Sequence, residues 1–372
     1  MHFTLHLTAR CNLRCDYCYV DHNDEDMSPE TARAVVDLAG RGARRSGLIF
    51  FGGEPLLRRE LIYETAAYAR SREKDLNCRF FFKTTTNGLL LDDEFLAFAR
   101  RENVFIALSV DGLKEAHDAH RRDAQGRGSY DLAADAARRL LAEKPYSPAL
   151  MTVRPDTLHL YAAGAEALYG LGFSYVIASL DYSADWQESH LPELTRQYEL
   201  LSDLYERKTM AEDKFYFSPF DVKISSHINN RTWRHERCEL GLRQLSAGPD
   251  GTLYPCVQFV GDPAFHTGDV FSGIDEEARR ALYKRNEKEK PGCDICGIRS
   301  RCNHYCACLN RQATGSIDEI SPMLCAHERI ALPVADSLAE RLYARGSAIF
   351  IQKHYNDYYQ LASLAEDGFN FD

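Results

Sequence analysis

The chain reads as an α/β protein built round a parallel sheet, and three observations lead there. Six short apolar stretches recur across the first two hundred residues, and each is followed by a stretch of helical periodicity. Hydrophobic residues make up 45 % of the 372 and charged residues 27 %, the mixture of a globular chain with a true core. After about residue 210 the rhythm stops, which leaves room for a second, differently built unit. Pattern alone does not separate an open doubly wound sheet from part of a barrel.

The elements follow in order. Residues 3–7 form the first expected strand, and Ser28-Pro29-Glu30 opens a helix with a capping hydroxyl, a proline in the first turn and an acid beside it. Residues 48–51 are an apolar strand, and 58–72 a helix with Leu61, Ile62, Thr65, Ala66 and Ala69 on one face. Strands are expected at 79–85, 105–110, 150–153 and 175–180, with helices at 92–101, 130–143, 158–171 and 193–207. From 238 to 325 the chain is rich in Cys, Gly, Asn and His, a composition that needs metal more than a hydrophobic core to hold it. A helix resumes at 333–345, before a tail carrying Tyr355, Tyr358, Tyr359 and Phe369.

Charge narrows the function. Acidic residues exceed basic ones by 55 − 45 = 10, the reverse of a protein that neutralises phosphates, so no nucleic-acid partner is expected. Short basic runs at 41–45 and 121–127 sit beside acids and read as solvated faces. No stretch is long and apolar enough to cross a bilayer, and residues 1–4 do not open a signal peptide, so the expected place is the cytoplasm. In a reducing compartment twelve cysteines read as metal ligands or catalytic groups rather than disulfides.

Cys11, Cys15 and Cys18 lie in the loop leaving the first strand, where α/β folds place their chemistry. Three thiolates suit a [4Fe–4S] cluster with one iron left open. They equally suit a zinc site completed by His6 or His22. The spacing C-x3-C-x-aromatic-C, with Tyr17 as the aromatic, resembles the signature of the radical S-adenosylmethionine (SAM) enzymes. The resemblance implies that the open iron chelates SAM, and that an electron entering the cluster cleaves SAM to a 5′-deoxyadenosyl radical.

Other stretches match that family in order. Gly52-Gly53-Glu54-Pro55 resembles the motif that receives the SAM amino group, glycine letting backbone carbonyls come close. Thr86-Asn87-Gly88 follows the third strand and Ser109-Val-Asp111-Gly112 the fourth, and His117-Asp118-Ala-His-Arg121 resembles the HDxxR segment of peptide-modifying members. Thr86, Asn87, Ser109 and Arg121 are carried over as SAM contacts, while Asp111 reads equally as a loop acid. The resemblance implies a partial (β/α)6, TIM-like barrel over residues 1–205.

A second cysteine series runs Cys238-x12-Gly251-x4-Cys256, then Cys293-x2-Cys296-x5-Cys302-x3-Cys306, then Cys325. It resembles the seven-cysteine SPASM domain of radical SAM peptide maturases, placed at 235–330 after a linker at 206–234, with a C-terminal helix and tail at 331–372. By that resemblance Cys293, Cys296, Cys302 and Cys325 fill one auxiliary [4Fe–4S] cluster, and Cys238, Cys256 and Cys306 hold another. Cys308, His235 or a substrate thiol are candidates for its fourth ligand. Two zinc sites built from the same CxxC units are the alternative. Cys78 reads as a small buried residue.

Three [4Fe–4S] clusters, SAM, a precursor peptide and a flavodoxin or ferredoxin electron donor are therefore expected. Anaerobic sulfatase-maturating enzymes carry an aspartate base directly after the cysteine that is Cys256 here, but Val257 stands at that position and takes no proton. A maturase of ribosomally made peptides, forming thioether or carbon–carbon cross-links or related oxidations, is the favoured expectation. A radical SAM dehydrogenase of a small molecule and a zinc-held binding protein are the alternatives. No leader-recognition domain precedes the first strand, so a separate leader-recognition protein, or recognition through the barrel and tail, is expected.

Overall fold

The computed structural model describes residues 1–229 and 239–371. Seven parallel strands succeed one another: β1 (His2–His6), β2 (Arg45–Phe51), β3 (Arg79–Thr86), β4 (Phe105–Ser109), β5 (Ala149–Val153), β6 (Tyr175–Leu180) and β7 (Tyr216–Phe217). The helices between them are α1 (Pro29–Gly40), α2 (Arg59–Leu76), α3 (Asp93–Arg101), α4 (Lys114–His120), α5 (Tyr130–Glu143), α6 (Tyr161–Gly170) and α7 (Leu191–Met210). The sheet order is β7-β6-β5-β4-β3-β2-β1-β8-β9, with β8 (Gln244–Ala247) parallel to β1 and β9 (Leu253–Tyr254) antiparallel to β8. Among the described residues the two ends of the sheet do not pair with each other, so the barrel is partial.

Local chemistry explains the starts of the helices. Ser28 Oγ accepts the Thr31 amide at 3.0 Å to cap α1, and Asp92 accepts the Phe95 amide at 2.9 Å to cap α3. Phe3, Leu5, Leu48, Phe50, Phe80, Phe82, Ile106 and Leu108 are all within 2 % of complete burial, alternate residues that put one face of each strand into the core. Each such side chain contributes about 1.5–3 kcal/mol relative to exposure.

Two stretches differ from the reading of the sequence. The segment expected as a linker carries the end of α7, β7 and α8 (Ser218–Asn229), because Phe217, Phe220 and Ile224 are apolar enough to pack on the barrel. The following helices are α9 (Glu276–Asn286), α10 (Ala307–Thr314), α11 (Pro322–Arg345), α12 (Ala348–Tyr355) and α13 (Tyr359–Glu366). The helix expected to begin at Pro333 begins at Pro322 and runs through Pro333. Buried Leu324, Ala331, Leu332, Ala335 and Leu338 on both sides of that proline outweigh its missing donor.

The C-terminal tail returns to the barrel. Phe369 packs edge-on against Phe105 at 6.1 Å and Tyr146 at 5.0 Å, and the Tyr175 hydroxyl donates to Asp367 at 2.9 Å. These partners sit at the starts of β4 and β6 and just before β5, so the tail covers the end of the barrel away from the cysteine loop. Tyr355 and Tyr358 stay exposed. No helix among the described residues is long and apolar enough to cross a membrane.

Candidate active site

The β1 strand delivers its following loop to the mouth of the barrel, and neighbouring backbone holds it there. The Arg14 amide donates to Arg122 O at 2.6 Å and the Asp16 amide to His120 O at 3.2 Å. On the other side the Gly53 amide donates to Thr8 O at 2.8 Å and the Glu54 amide to Arg10 O at 2.9 Å. Both glycines are needed for that approach. A Cβ on Gly53 would lie 2.1 Å from Arg10 O, and one on Gly52, whose φ is +132°, would lie 2.3 Å from Thr8 O.

A cavity of about 360 Å³ results. Its wall carries Cys11, Cys15, Cys18, Gly52, Gly53, Glu54, Thr86, Asn87, Ser109 and Arg121. Pro55 is not on that wall; it is buried at the start of the next turn. From beyond the barrel come Gln258, four residues past β9, and Leu309 and Gln312 on one face of α10. A second cavity of about 360 Å³ shares Ser179, Leu180 and Leu309 with the first and reaches Cys306.

The charged groups are not distributed as their sequence positions suggest. Glu54 is buried, and its carboxylate accepts from Thr86 Oγ1 at 2.8 Å, the Asn87 amide at 2.9 Å and the Leu56 amide at 3.1 Å. Burial pushes its carboxyl up to about 7 against those three donors. With the side chain so engaged, backbone carbonyls remain the groups of this motif able to meet an ammonium.

Arg121, expected on a solvated face, is buried; its Nε and Nη2 both donate to Asp111, and its guanidinium lies 5.1 Å from the Tyr17 ring centre. The pair is buried because the Asp111 carboxylate finds two further donors in the Tyr17 hydroxyl and the Thr152 amide, while its own amide donates to His117 Nδ1 at 3.3 Å. His117 and Asp118 shape the loop, the first meeting Ser129 at 3.0 Å and the second accepting the Tyr130 amide at 2.8 Å.

The thiols of the first loop are raised by burial, Cys11 to about 12 and Cys15 to about 11, with Arg121 pulling Cys15 back. The Leu13 amide meets Cys11 Sγ at 3.4 Å and the Val20 amide bonds to Cys18. Amides aimed at sulfur suit thiolates bound to a cationic centre. Among the described residues no three Cys, His, Asp or Glu side chains surround a point to hold a single metal ion. The donor chemistry here fits an iron–sulfur cluster, whose ligands spread over several irons.

The later cysteines form two groups. Cys293 is near Cys296 and Cys325, and Cys325 is near Cys302; Arg329 Nη2 lies 3.9 Å from Cys296 Sγ. In the other group Cys308 Sγ is 3.4 Å from Cys306 Sγ and hydrogen-bonds to Cys256 as well. Backbone amides of Val257 and Gln258 point at Cys256, and those of Cys308 and Leu309 at Cys306. Cys238 and His235 lie outside the described residues. Cys78 is buried at the foot of β3.

Reading the sequence by motif missed Thr152, Asp181, Gln258 and Gln312 on the cavity wall. Asp181 had one signal, an acid directly after a strand of the barrel; the other three had none.

Residues 5–157, the stretch that carries the Cys11–Cys18 loop and the first strands of the barrel, match the model of the Radical SAM superfamily. Along most of its length the chain is similar to the serine-type anaerobic sulfatase-maturating enzyme of Klebsiella aerogenes, 28 % identical over 80 % of this chain and 76 % of that one. The cysteine-type enzyme of Clostridium novyi is 26 % identical over 82 % of each. An uncharacterized Methanocaldococcus jannaschii protein is 32 % identical, over 30 % of this chain and 39 % of its own length. Among solved structures, anSMEcpe with bound AdoMet and the Cp18Cys peptide superposes with a TM-score of 0.78, covering 92 % of this chain and all of that one at 20 % identity. Streptococcus suis SuiB bound to precursor peptide SuiA gives 0.61, over 87 % and 75 %, at 13 % identity. At those identities the superpositions speak for the shared fold.

Proposed function

We propose that this chain is a radical SAM enzyme that oxidatively modifies a residue of a ribosomally made peptide. The observation that carries this is the wall shared by the two cavities, Ser179, Leu180 and Leu309, with the loop of Cys11, Cys15 and Cys18 on one side and Cys306 on the other. In this reading Cys11, Cys15 and Cys18 hold the SAM-binding [4Fe–4S] cluster. Cys293, Cys296, Cys302 and Cys325 hold one auxiliary cluster, and Cys238, Cys256 and Cys306 another, with Cys308 as its fourth ligand. Loaded with SAM, the first cluster supplies a radical that removes a hydrogen atom from an unactivated carbon. The chain's own residues bind and exclude water: Gly52 and Gly53 offer carbonyls to the SAM amino group, Asn87 steadies the Cys11 loop through Asn12 at 2.7 Å, and Leu180 and Leu309 close the recess.

A second reading, formylglycine formation on a sulfatase, is favoured by the likeness to sulfatase-maturating enzymes over four-fifths of the chain. Against it stands Val257, which lines a different pocket, while the neighbouring Gln258 enters the cavity with an amide that takes no proton.

The test is anaerobic reconstitution followed by turnover with SAM, a reductant and synthetic peptides presenting a central cysteine or serine. Loss of two hydrogens with a new cross-link supports the first reading, and an aldehyde on the central residue the second. About 12 irons per chain are expected for three clusters. SAM cleavage without change to any peptide would overturn both readings.

A further inference from the structure

A two-electron oxidation releases a proton as well as a hydrogen atom and an electron, and no acid stands at position 257 to take it. We infer that Asp181 is the proton acceptor for the substrate; this rests on the peptide-oxidising reading above. Asp181 follows the last residue of β6 and lies on the cavity wall with Cys15, Ser109, Thr152 and Gln258. Its main chain is held on both sides: the amide donates to Val153 O at 2.9 Å, and the carbonyl accepts from Trp186 Nε1 at 2.6 Å. Oδ1 accepts from the Ser183 amide at 3.0 Å and from its hydroxyl at 2.5 Å.

Oδ2 is different. It is buried and has no hydrogen-bond partner, and its side chain is 7 % exposed. Arg154 Nη1 stands 3.6 Å away, within ion-pair range but too far for a hydrogen bond. An orphaned carboxylate oxygen costs free energy unless a ligand pairs with it. Glu54, the other carboxylate on this wall, already accepts three hydrogen bonds. Asp181 is thus the acid with an oxygen to spare.

The step balances as follows. A C–H bond next to a thiol or hydroxyl breaks, its hydrogen atom leaving with the SAM-derived radical as 5′-deoxyadenosine. The S–H or O–H bond then breaks, its proton passing to Asp181 Oδ2, while one electron leaves to an iron–sulfur cluster. A second bond then forms between that carbon and its heteroatom, giving a carbon–heteroatom double bond.

The test compares wild type, Asp181→Asn and Asp181→Glu on the cysteine and serine peptides, each deuterated at the carbon beside the heteroatom, measuring 5′-deoxyadenosine, its deuterium and modified peptide together. Asparagine keeps the size and the Ser183 bonds but takes no proton. Asp181→Asn is expected to cleave SAM and carry deuterium into 5′-deoxyadenosine, while modified peptide falls about 100-fold. Asp181→Glu should recover part of that loss. A structural role predicts the opposite order, the isosteric Asn tolerated and the longer Glu damaging. Asp181→Asn yielding modified peptide in step with 5′-deoxyadenosine, or Glu proving worse than Asn, overturns the assignment. Should wild type modify neither peptide, the oxidising reading falls and the assignment with it.

Discussion

Arg121 and Asp111 form a two-pronged ion pair at the mouth of the barrel, Nε to Oδ2 at 2.7 Å and Nη2 to Oδ1 at 3.2 Å, with side chains only 8 % and 2 % exposed. The pair ties the end of β4 to the segment that backs the Cys11–Cys18 loop. Arg121 thereby sets the position of that loop while leaving Nη1 as the guanidinium nitrogen not engaged by Asp111.

Asp111→Ala leaves a buried guanidinium without its counter-charge and should cost about 3–5 kcal/mol. Urea unfolding of the metal-free protein measures it. Burial alone would push the Asp111 carboxyl up, but Arg121 wins and holds it below the ordinary carboxylate range. A depressed folded value means that this contribution is present above the unfolded value near 3.8 and lost as pH falls through the folded one. Wild type should therefore lose more stability than Asp111→Ala on acidification below about pH 4.

Glu54 has the opposite sign. Its folded value of about 7 lies above the unfolded 4.5, so the folded state keeps its proton longer. The stability this brings is complete below pH 4.5 and declines as pH rises to about 7. Glu54→Gln removes that slope, since the amide does not titrate. It also sets an NH2 against one of the donors at Leu56, Thr86 or Asn87, at a cost of about 1–3 kcal/mol. Unfolding free energies from pH 4 to 8 for both proteins test the sign and the offset.

Gly53→Ala puts a methyl group against Arg10 O, and backbone yields less readily than a flexible side chain. The loop carrying Cys11 must shift, so SAM binding to the reconstituted protein should weaken at least about 10-fold, with about 1–3 kcal/mol lost in stability. Equilibrium dialysis with SAM and an unfolding curve check the two halves separately.

Cys308→Ala should lower bound iron if Cys308 is a cluster ligand, and the electron paramagnetic resonance of the auxiliary clusters should change with it. Iron content and spectra equal to wild type would mean that the Cys256 and Cys306 site takes its fourth ligand elsewhere. Replacing Cys11, Cys15 and Cys18 together by Ala should abolish SAM cleavage and spare the remaining iron.

The βα alternation, the cysteine loop after β1 and the GG turn after β2 were legible because each is local. Strand period, helix caps and the spacing of Cys11, Cys15 and Cys18 all act within a few residues. Pro333 misled the reading because a helix boundary depends on burial on both sides of the proline, which no local signal reports. Arg121 misled it for a related reason. Its neighbours Arg122, Asp123 and Arg127 are those of a solvated run, and only contact with Asp111 and Tyr17 explains its burial.

The sequence by itself determined the fold class, the first cysteine loop and the family that the loop resembles, since those follow from short-range pattern and covalent spacing. Tertiary structure alone decided which acids are spent and which is free. Glu54 and Asp111 are saturated by donors from β3, β5 and the 121 segment, whereas Asp181, on the wall of the same cavity, keeps one oxygen without a hydrogen bond. Hydrogen-bond satisfaction is a property of groups that the fold brings together from distant parts of the chain, so no reading of residue order could assign it.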